Sequence, residues 1–302
     1  MIKKWFSHSG IILGSKNGYD IIDCKKCGFY HAVPIPTPKD LDEYYKKQFY
    51  ASTKPGYCEE HERDHEWRSM TYRGHLDLFE KHMSSKGKRI LDIGSGPGLF
   101  LKYAKDNGWD AVGIEPSTQA AQFTRSLGIE VVNDFLNINT YKKLGKFDVI
   151  HSCVVMEHLI DPAETLTLCG KMLKPGGILF ISVANEFNPL QMILKDHLSV
   201  KPWWIVPPDH INYFTIASLK NLVSRKGFRP LNVTTSFPME LFILMGDNYI
   251  GNNALGKECH KRRSNLEFAL VNSGNRDLKK KLYKAFSSID LGRNIELLAR
   301  KK

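Results

Sequence analysis

The sequence predicts an α/β protein built on an open, doubly wound parallel sheet. Three observations predict it. Short apolar runs alternate with helix-length segments over residues 89–185. The first run, Arg89-Ile90-Leu91-Asp92-Ile93, ends at a cluster of glycines. The last helical segment is stopped by Lys174-Pro175-Gly176-Gly177, where proline ends a helix and glycine permits a turn into a strand. Strands separated by helices of this length are joined by crossovers, so neighbours run parallel and helices cover the sheet.

The elements follow in order. Residues 89–93, 111–115, 130–132, 147–152 and 177–183 are predicted strands. Residues 99–107, 118–126 and 163–173 are predicted helices between them. Upstream, residues 59–82 are charged, with Trp67, Met70, Tyr72, Leu76 and Phe79 at mostly three- and four-residue spacing, an amphipathic helix. The segment before it is expected to be loop-rich, with Pro34-Ile35-Pro36-Thr37-Pro38 a rigid extended connector. Downstream, residues 216–226 are predicted helical, and 229–235 and 293–300 are predicted strands, the latter closing the sheet. Residues 237–290 form a mostly helical insertion, and an insertion of that length is expected to cover something. The organisation is an N-terminal appendage (residues 1–58), a core (59–236) and a helical cover with a closing strand (237–302).

Composition bounds the function. The chain has 302 residues, 42% hydrophobic and 25% charged, which supports a packed core and excludes wholesale disorder. No apolar run approaches the ~20 residues of a membrane span. The apolar start at Trp5 and Phe6 is broken by Ser7, His8, Ser9 and Gly10, so no signal-peptide core is read and a cytoplasmic protein is expected. The formal net charge is +11. Such a surface suits nucleic acid, an anionic membrane or a phosphorylated small substrate. The local clusters, Lys257, Lys261, Arg262, Arg263 and then Lys279, Lys280, Lys281, Lys284, lack the interleaved aromatics of a single-strand platform, which weighs against nucleic acid. Solvated surface is the simpler reading.

The chemistry centres on Gly94-Ser95-Gly96-Pro97-Gly98. Glycines after a strand let backbone approach a ligand and turn sharply into a helix. The spacing is G-x-G-x-G, not the dinucleotide G-x-G-x-x-G, and Pro97 removes an N–H that a pyrophosphate cradle would use. Glu115, at the end of the next strand, is placed to accept both ribose hydroxyls of an adenosine ligand. These two features imply an adenosine-type cofactor and leave a nicotinamide dinucleotide open.

Six cysteines are present, and Cys24 and Cys27 are the one closely spaced pair. This is not a disulfide framework. Cys153 and Cys169 sit in apolar segments and are expected to be buried, inert thiols. Cys24-Lys25-Lys26-Cys27-Gly28 has zinc-knuckle spacing, and a closed structural site needs four ligands. His8 and His31 are the nearby candidates. An unmetallated hairpin turn is the alternative. His61 and His65 fall on the charged helix and are read as solvated.

Together these motifs resemble the class I S-adenosylmethionine (SAM)-dependent methyltransferases. Leu91-Asp92-Ile93-Gly94-Ser95-Gly96-Pro97-Gly98 is similar to their first motif and Gly113-Ile114-Glu115-Pro116-Ser117 to their second. Phe147-Asp148-Val149-Ile150 followed by Glu157-His158-Leu159-Ile160-Asp161-Pro162 is similar to their fourth. Leu173-Lys174-Pro175-Gly176-Gly177 resembles the turn before their fifth strand. Asp209-His210-Ile211-Asn212-Tyr213-Phe214-Thr215 resembles a block in bacterial members that act on small molecules and sugars. The C-x-x-C-G segment and Tyr44, Tyr45 and Tyr50 also have counterparts in related enzymes, many of which carry further upstream cysteines that this chain lacks.

The resemblance implies a Rossmann-like, seven-stranded methyltransferase fold and SAM as cofactor. It places Gly94, Ser95, Gly96 and Gly98 against the methionine part, Asp92 at its amino group, and Glu115, with Pro116 beside it, at the ribose. Asp134 and Phe135 would meet the adenine, and Ser152, Cys153 and Val154 would line the site. Methyl transfer from a sulfonium is chiefly a matter of alignment. A hydroxyl acceptor also needs a base, for which His158 and His210 are the candidates. The expected acceptor is a small molecule methylated on oxygen, or else nitrogen or carbon. A saccharide or saccharide-linked group is the resemblance's suggestion. A nicotinamide oxidoreductase, an RNA methyltransferase and a non-catalytic protein of the same fold are the competing classes.

Overall fold

The computed structural model describes residues 8–43, 64–83 and 87–302. Residues 1–7 and 59–63, together with Tyr44, Tyr45, Tyr50, Cys58 and His61, lie outside the described residues. The strands are β1 (Gly10–Lys16), β2 (Tyr19–Cys24), β3 (Phe29–Val33), β4 (Arg89–Ile93), β5 (Asp110–Ile114), β6 (Glu130–Val132), β7 (Phe147–Cys153), β8 (Leu173–Ala184), β9 (Asn212–Tyr213), β10 (Phe228–Thr235) and β11 (Asn294–Lys301). Seven form one sheet in the order β10-β11-β8-β7-β4-β5-β6. The fold is the expected seven-stranded α/β architecture.

The order of this sheet explains where a ligand can bind. β4 pairs in parallel with β5 on one side and β7 on the other. The chain winds outward through β5 to β6, then crosses back to β7. At such a reversal the loops leaving the two central strands diverge, opening a crevice at their carboxyl ends. The last four residues of β4 and all of β7 but Cys153 are buried, as a strand covered on both faces must be.

Contacts divide the chain into two compact units. One comprises Pro36–Ile181, Leu222–Leu231 and Leu298–Lys302. Its core joins Phe79 and Leu76 of helix His65–His82 to Phe100, Trp109, Val149 and Phe180. Local sequence fixes its helix starts. Ser117 caps Thr118–Ser126, Asn137 and Thr140 form a capping box on Ile138–Leu144, and Asp161 caps Pro162–Met172 with Pro162 in the first turn. The expected turn at Lys174-Pro175-Gly176-Gly177 is instead part of β8, which begins at Leu173 directly after the helix. A residue before proline is driven to extended geometry, and Gly176, at φ 71°, absorbs the bend.

The other unit comprises Met1–Ile35, Ser182–Asn221 and Asn232–Leu297. Here the loop-rich reading of the N-terminal segment is corrected. It folds as the antiparallel sheet β1-β2-β3-β9. Lys16 pairs with Tyr19, so Asn17 and Gly18, at φ 54° and 80°, are the two residues of a tight hairpin. The proline connector is also shorter than expected. Pro38 opens helix Pro38–Glu43, where Thr37 and Asp40 exchange N-terminal hydrogen bonds. The sheet packs Ile21, Ala32 and Tyr213 with Trp204 and Ile205. The insertion is helical as expected, with Glu240–Leu244, Asn253–Asn272 and Arg276–Ser288 gathered on Phe237, Phe242, Cys259 and Tyr283. Among the described residues no helix is long and apolar enough to cross a membrane.

Candidate cofactor and acceptor site

Beyond β4 the chain enters the glycine turn. Gly94, Gly96 and Gly98 lie at φ 68°, 52° and 71°, the left-handed region that favours glycine. Space adds a second requirement. A Cβ on Gly94 would stand 2.5 Å from Val155 Cγ2, and one on Gly98 2.6 Å from Thr124 Cγ2. Gly113, on β5, leaves room for Ser95, whose Oγ would be 2.7 Å from a Cβ there. The Thr124 hydroxyl donates to Gly96 O at 3.0 Å and fixes the turn from below. Sequence reading missed Thr124, because its role is visible only once helix Thr118–Ser126 is packed.

Glu115 locks this turn to the next one. Its Oε2 accepts from Gly96 N and its Oε1 from Ser117 N, both at 2.8 Å. The residue is 4% exposed. Burial outweighs the two N–H bonds and pushes its pKa up to about 7. Asn133 donates to the backbone oxygens of Glu115 and Pro116, at 2.9 and 3.0 Å, tying the end of β5 to the end of β6. Asp134 Oδ1 accepts from Phe135 N at 2.8 Å, and its Oδ2 from Asn137 Nδ2 at 3.3 Å. This bracket fixes the Asp134-Phe135 backbone at the mouth of β6.

Asp92 and His151 form a buried ion pair, Oδ1 to Nδ1, at 2.7 Å. His151 lies between Phe100 and Phe180, with ring centroids 4.1 and 5.3 Å away. Burial alone would lower the His151 pKa, but the Asp92 charge and hydrogen bond outweigh it and raise it to about 10. His151 was not singled out in the sequence, where it is one more residue of an apolar strand. Ser152 follows it, buried, and Cys153 is half-buried rather than fully enclosed as expected. Val154, at φ 58° and 45% exposed, ends the strand in a conformation rare for a β-branched residue. Several polar atoms here are buried without a hydrogen-bond partner: Ser95 Oγ, Ser152 Oγ and both oxygens of Glu157, which is 0% exposed. A steeply turned glycine cradle, an anchored acid and orphaned hydroxyls suit an adenosine ligand with an amino-acid tail.

The two candidate bases are carried by different segments of the chain. His158 ends the short 3-10 turn Met156–His158 after β7, its N–H donating to Val155 O at 2.9 Å. His210 lies in the other unit, after the cis Pro207–Pro208 peptide. Its Nδ1 is 2.8 Å from Glu186 Oε1, and Glu186 is 4% exposed along its side chain. Glu186 was not foreseen, since it sits in an unremarked turn after β8. Near it, Asn188 and Gln191 hydrogen-bond the buried Glu240.

The expected metal ligands converge. His8, Cys24, Cys27 and His31 each turn one ligand atom into a group spanning no more than 4.8 Å. The basic clusters are divided: Lys257, Lys261, Arg262, Lys280, Lys281 and Lys284 are exposed, Arg263 is buried and Lys279 half-buried. Arg262 pairs with Asp247 at 2.7 Å and stacks on Phe242, buried Arg263 contacts His260, and Lys279 pairs with Glu267.

A family model described as a methyltransferase domain matches residues 60–233. The ubiquinone biosynthesis O-methyltransferase of Nitrosococcus oceani is 35% identical over 119 residues, 37% of this chain and 50% of that protein. That of Marinobacter nauticus is 32% identical over 123 residues, 38% and 51% of the two. The chain thus spans about half the length of the curated relatives it matches. Among solved structures, the plantazolicin methyltransferase BamL, in complex with a triazolic desmethylPZN analog and SAH, aligns with a TM-score of 0.53 at 18% identity, over 86% of this chain and 94% of that one. BpumL, a second plantazolicin methyltransferase in complex with SAH, aligns at 0.51 and 16% identity, over 87% and 94%. These two share the fold. The order of strands, the glycine cradle with its anchored acid, and a family match covering more than half of the residues agree, and the chain belongs to the methyltransferase domain family.

Proposed function

We propose that this protein transfers the methyl group of SAM to a hydroxyl oxygen of a small acceptor. The observation that carries the reading is Glu115, whose buried carboxylate bridges Gly96 and Ser117 at the carboxyl end of β5. Its remaining lone pairs suit two ribose hydroxyls. Gly94, Ser95, Gly96 and Gly98 hold the methionine part. Asp92, with Oδ1 given to His151, offers its other oxygen to an ammonium group. Asp134 and Phe135, set by Asn137, receive the adenine, and Ser152 and Val154 border the site. Bound SAM supplies a methyl group activated by a sulfonium.

Deprotonation of the acceptor is assigned to His210. Glu186 holds Nδ1 at 2.8 Å, the kind of carboxylate contact that orients an imidazole acting as a general base. His158 is the second candidate because it follows β7 in the unit that holds the cradle. The curated relatives carry the name O-methyltransferase, which favours oxygen over nitrogen or carbon. They lend no support to the saccharide suggested by residues 209–215, so the acceptor class is carried forward as a small hydroxyl compound. The deciding experiment is calorimetric titration with S-adenosylhomocysteine and NADH, followed by transfer of isotope-labelled methyl from SAM to a panel of hydroxylated small molecules. Binding of NADH in place of S-adenosylhomocysteine would overturn the cofactor. Labelling of RNA rather than small acceptors would overturn the substrate class.

A further inference from the structure

We propose that His8 Nδ1, Cys24 Sγ, Cys27 Sγ and His31 Nε2 form a closed, structural zinc site that clamps the outer end of the β1-β2-β3 sheet. The proposal is independent of the methyl-transfer reading.

The spacing of the atoms carries it. His8 Nδ1 lies 3.1 Å from His31 Nε2, 3.5 Å from Cys24 Sγ and 3.4 Å from Cys27 Sγ. Zinc sits ~2.0–2.1 Å from nitrogen and ~2.3 Å from sulfur, so the edges of a tetrahedral N₂S₂ site are roughly 3.3–3.8 Å long. The three measured edges fall at or just below that range, and all four ligand atoms lie within 4.8 Å of one another. Two imidazoles meeting nitrogen to nitrogen beside two thiols is poor packing in itself. It is the arrangement a thiophilic cation requires.

The backbone is built to hold it. Gly28, at φ 74°, closes the knuckle and donates to Cys24 O at 2.8 Å, which turns both sulfurs to one side. β3 sets His31 opposite Ile22 and Phe29 opposite Cys24, so His31 and Cys24 share a sheet face. β1 comes so near β2 at Gly10 that a Cβ there would lie 1.8 Å from Asp23 O. That approach, continued by Lys25 N donating to Ser9 O, carries His8 over the thiols. Outer-shell support is present too. His31 Nδ1 is 3.0 Å from Ala32 O, and that contact assigns its proton to Nδ1 and leaves Nε2 for the metal. Four protein ligands leave no open coordination position, so the site is structural rather than catalytic. Beside it Ile22, Cys24 and Val33 pack together with Cys27 against them, and the Phe29 ring lies between His31 and Phe214, 6.1 and 5.0 Å away. Because such a site does not exist in the unfolded chain, metal binding there adds its free energy to folding.

The test uses the full chain, purified under reducing conditions. Metal analysis is expected to return close to one zinc per chain. After removal of metal, titration with cobalt(II) is expected to produce the visible ligand-field bands of a tetrahedral thiolate site at one equivalent, abolished by added zinc. Cys27→Ser should weaken zinc binding by at least ~100-fold, the upper end of what loss of an outer-shell partner alone costs. Cys169→Ala, at a buried thiol remote in sequence, should leave it unchanged. Chelation should lower the melting temperature of the parent protein but not that of Cys27→Ser. If reduced, folded parent protein takes up neither zinc nor cobalt, the proposal fails even if the variants do not fold. It fails equally if the cobalt spectrum lacks thiolate character, or if Cys27→Ser binds as tightly as the parent.

Discussion

Asp92 Oδ1 and His151 Nδ1 stand 2.7 Å apart in the floor of the site, with the imidazole stacked between Phe100 and Phe180. Removing one partner leaves the other charge buried and uncompensated, which costs about 3–5 kcal/mol. His151→Ala is expected to lose that much stability in urea unfolding. The folded pKa of about 10 lies above the ordinary 6.5. The pair's contribution is therefore complete below pH 6.5 and is lost as pH rises through 10. His151→Phe, which keeps the stack, should flatten the decline of stability over that interval. An unchanged pH profile would show that the ring is neutral.

Glu115 titrates with an opposite consequence for binding. Its folded pKa of about 7 exceeds the ordinary 4.5, so the folded state holds the proton longer and stability falls as pH rises across that window. Ribose hydroxyls need the ionised carboxylate as acceptor. Affinity for S-adenosylhomocysteine is expected to fall by about tenfold for each pH unit below 7 and to level off above it. Glu115→Gln should bind weakly with no such slope. Calorimetry at several pH values separates the two.

Two glycines distinguish shape from conformation. Gly98 and Gly108 both have positive φ, at 71° and 84°, but a Cβ on Gly98 meets Thr124 whereas one on Gly108 meets nothing within 4 Å. Gly108→Ala should cost only the ~1–2 kcal/mol of a left-handed alanine. Gly98→Ala should cost more and also weaken cofactor binding. Equal losses in thermal unfolding would remove the steric reading of the cradle.

His210 and Glu186 predict a kinetic signature. His210→Gln is expected to lower kcat about 10²–10⁴-fold, the usual range for a general base, with S-adenosylhomocysteine affinity unchanged. Glu186→Gln keeps the hydrogen-bonding shape but not the charge. It should lower kcat less and shift the acidic limb of the pH–rate profile, the limb on which a general base takes up its proton. If His158→Gln alone produces the kcat loss, the base is His158.

The parts of this protein legible in the sequence are those encoded locally. Helix and strand periodicity, the Gly94–Gly98 turn and Glu115 sit within one βαβ unit, so spacing alone placed them. The closing strand β11 was legible from its apolar run, and β8 kept its place although its start moved to Leu173. The N-terminal sheet was missed although Asn17-Gly18 is a strong hairpin signal, because β1 and β2 bear few alternating apolar residues. His151, Thr124 and Glu186 depend on partners far away in the chain, 59, 28 and 24 residues respectively, and no window of sequence carries that information. The set His8, Cys24, Cys27 and His31 was named from the sequence by spacing and proximity, and the structure brings one ligand atom of each within 4.8 Å of the others.

Val154 bears on how this sequence is expected to change over time. A β-branched residue at φ 58° stores of order 1–3 kcal/mol, and glycine or asparagine would relieve it. Val154→Gly or Val154→Asn should therefore stabilise the fold, while most other substitutions there keep the strain. A descendant released from its chemistry is expected to drift there toward glycine or asparagine. Retained valine or isoleucine at the end of β7 would mark the lineages in which the site is still under selection.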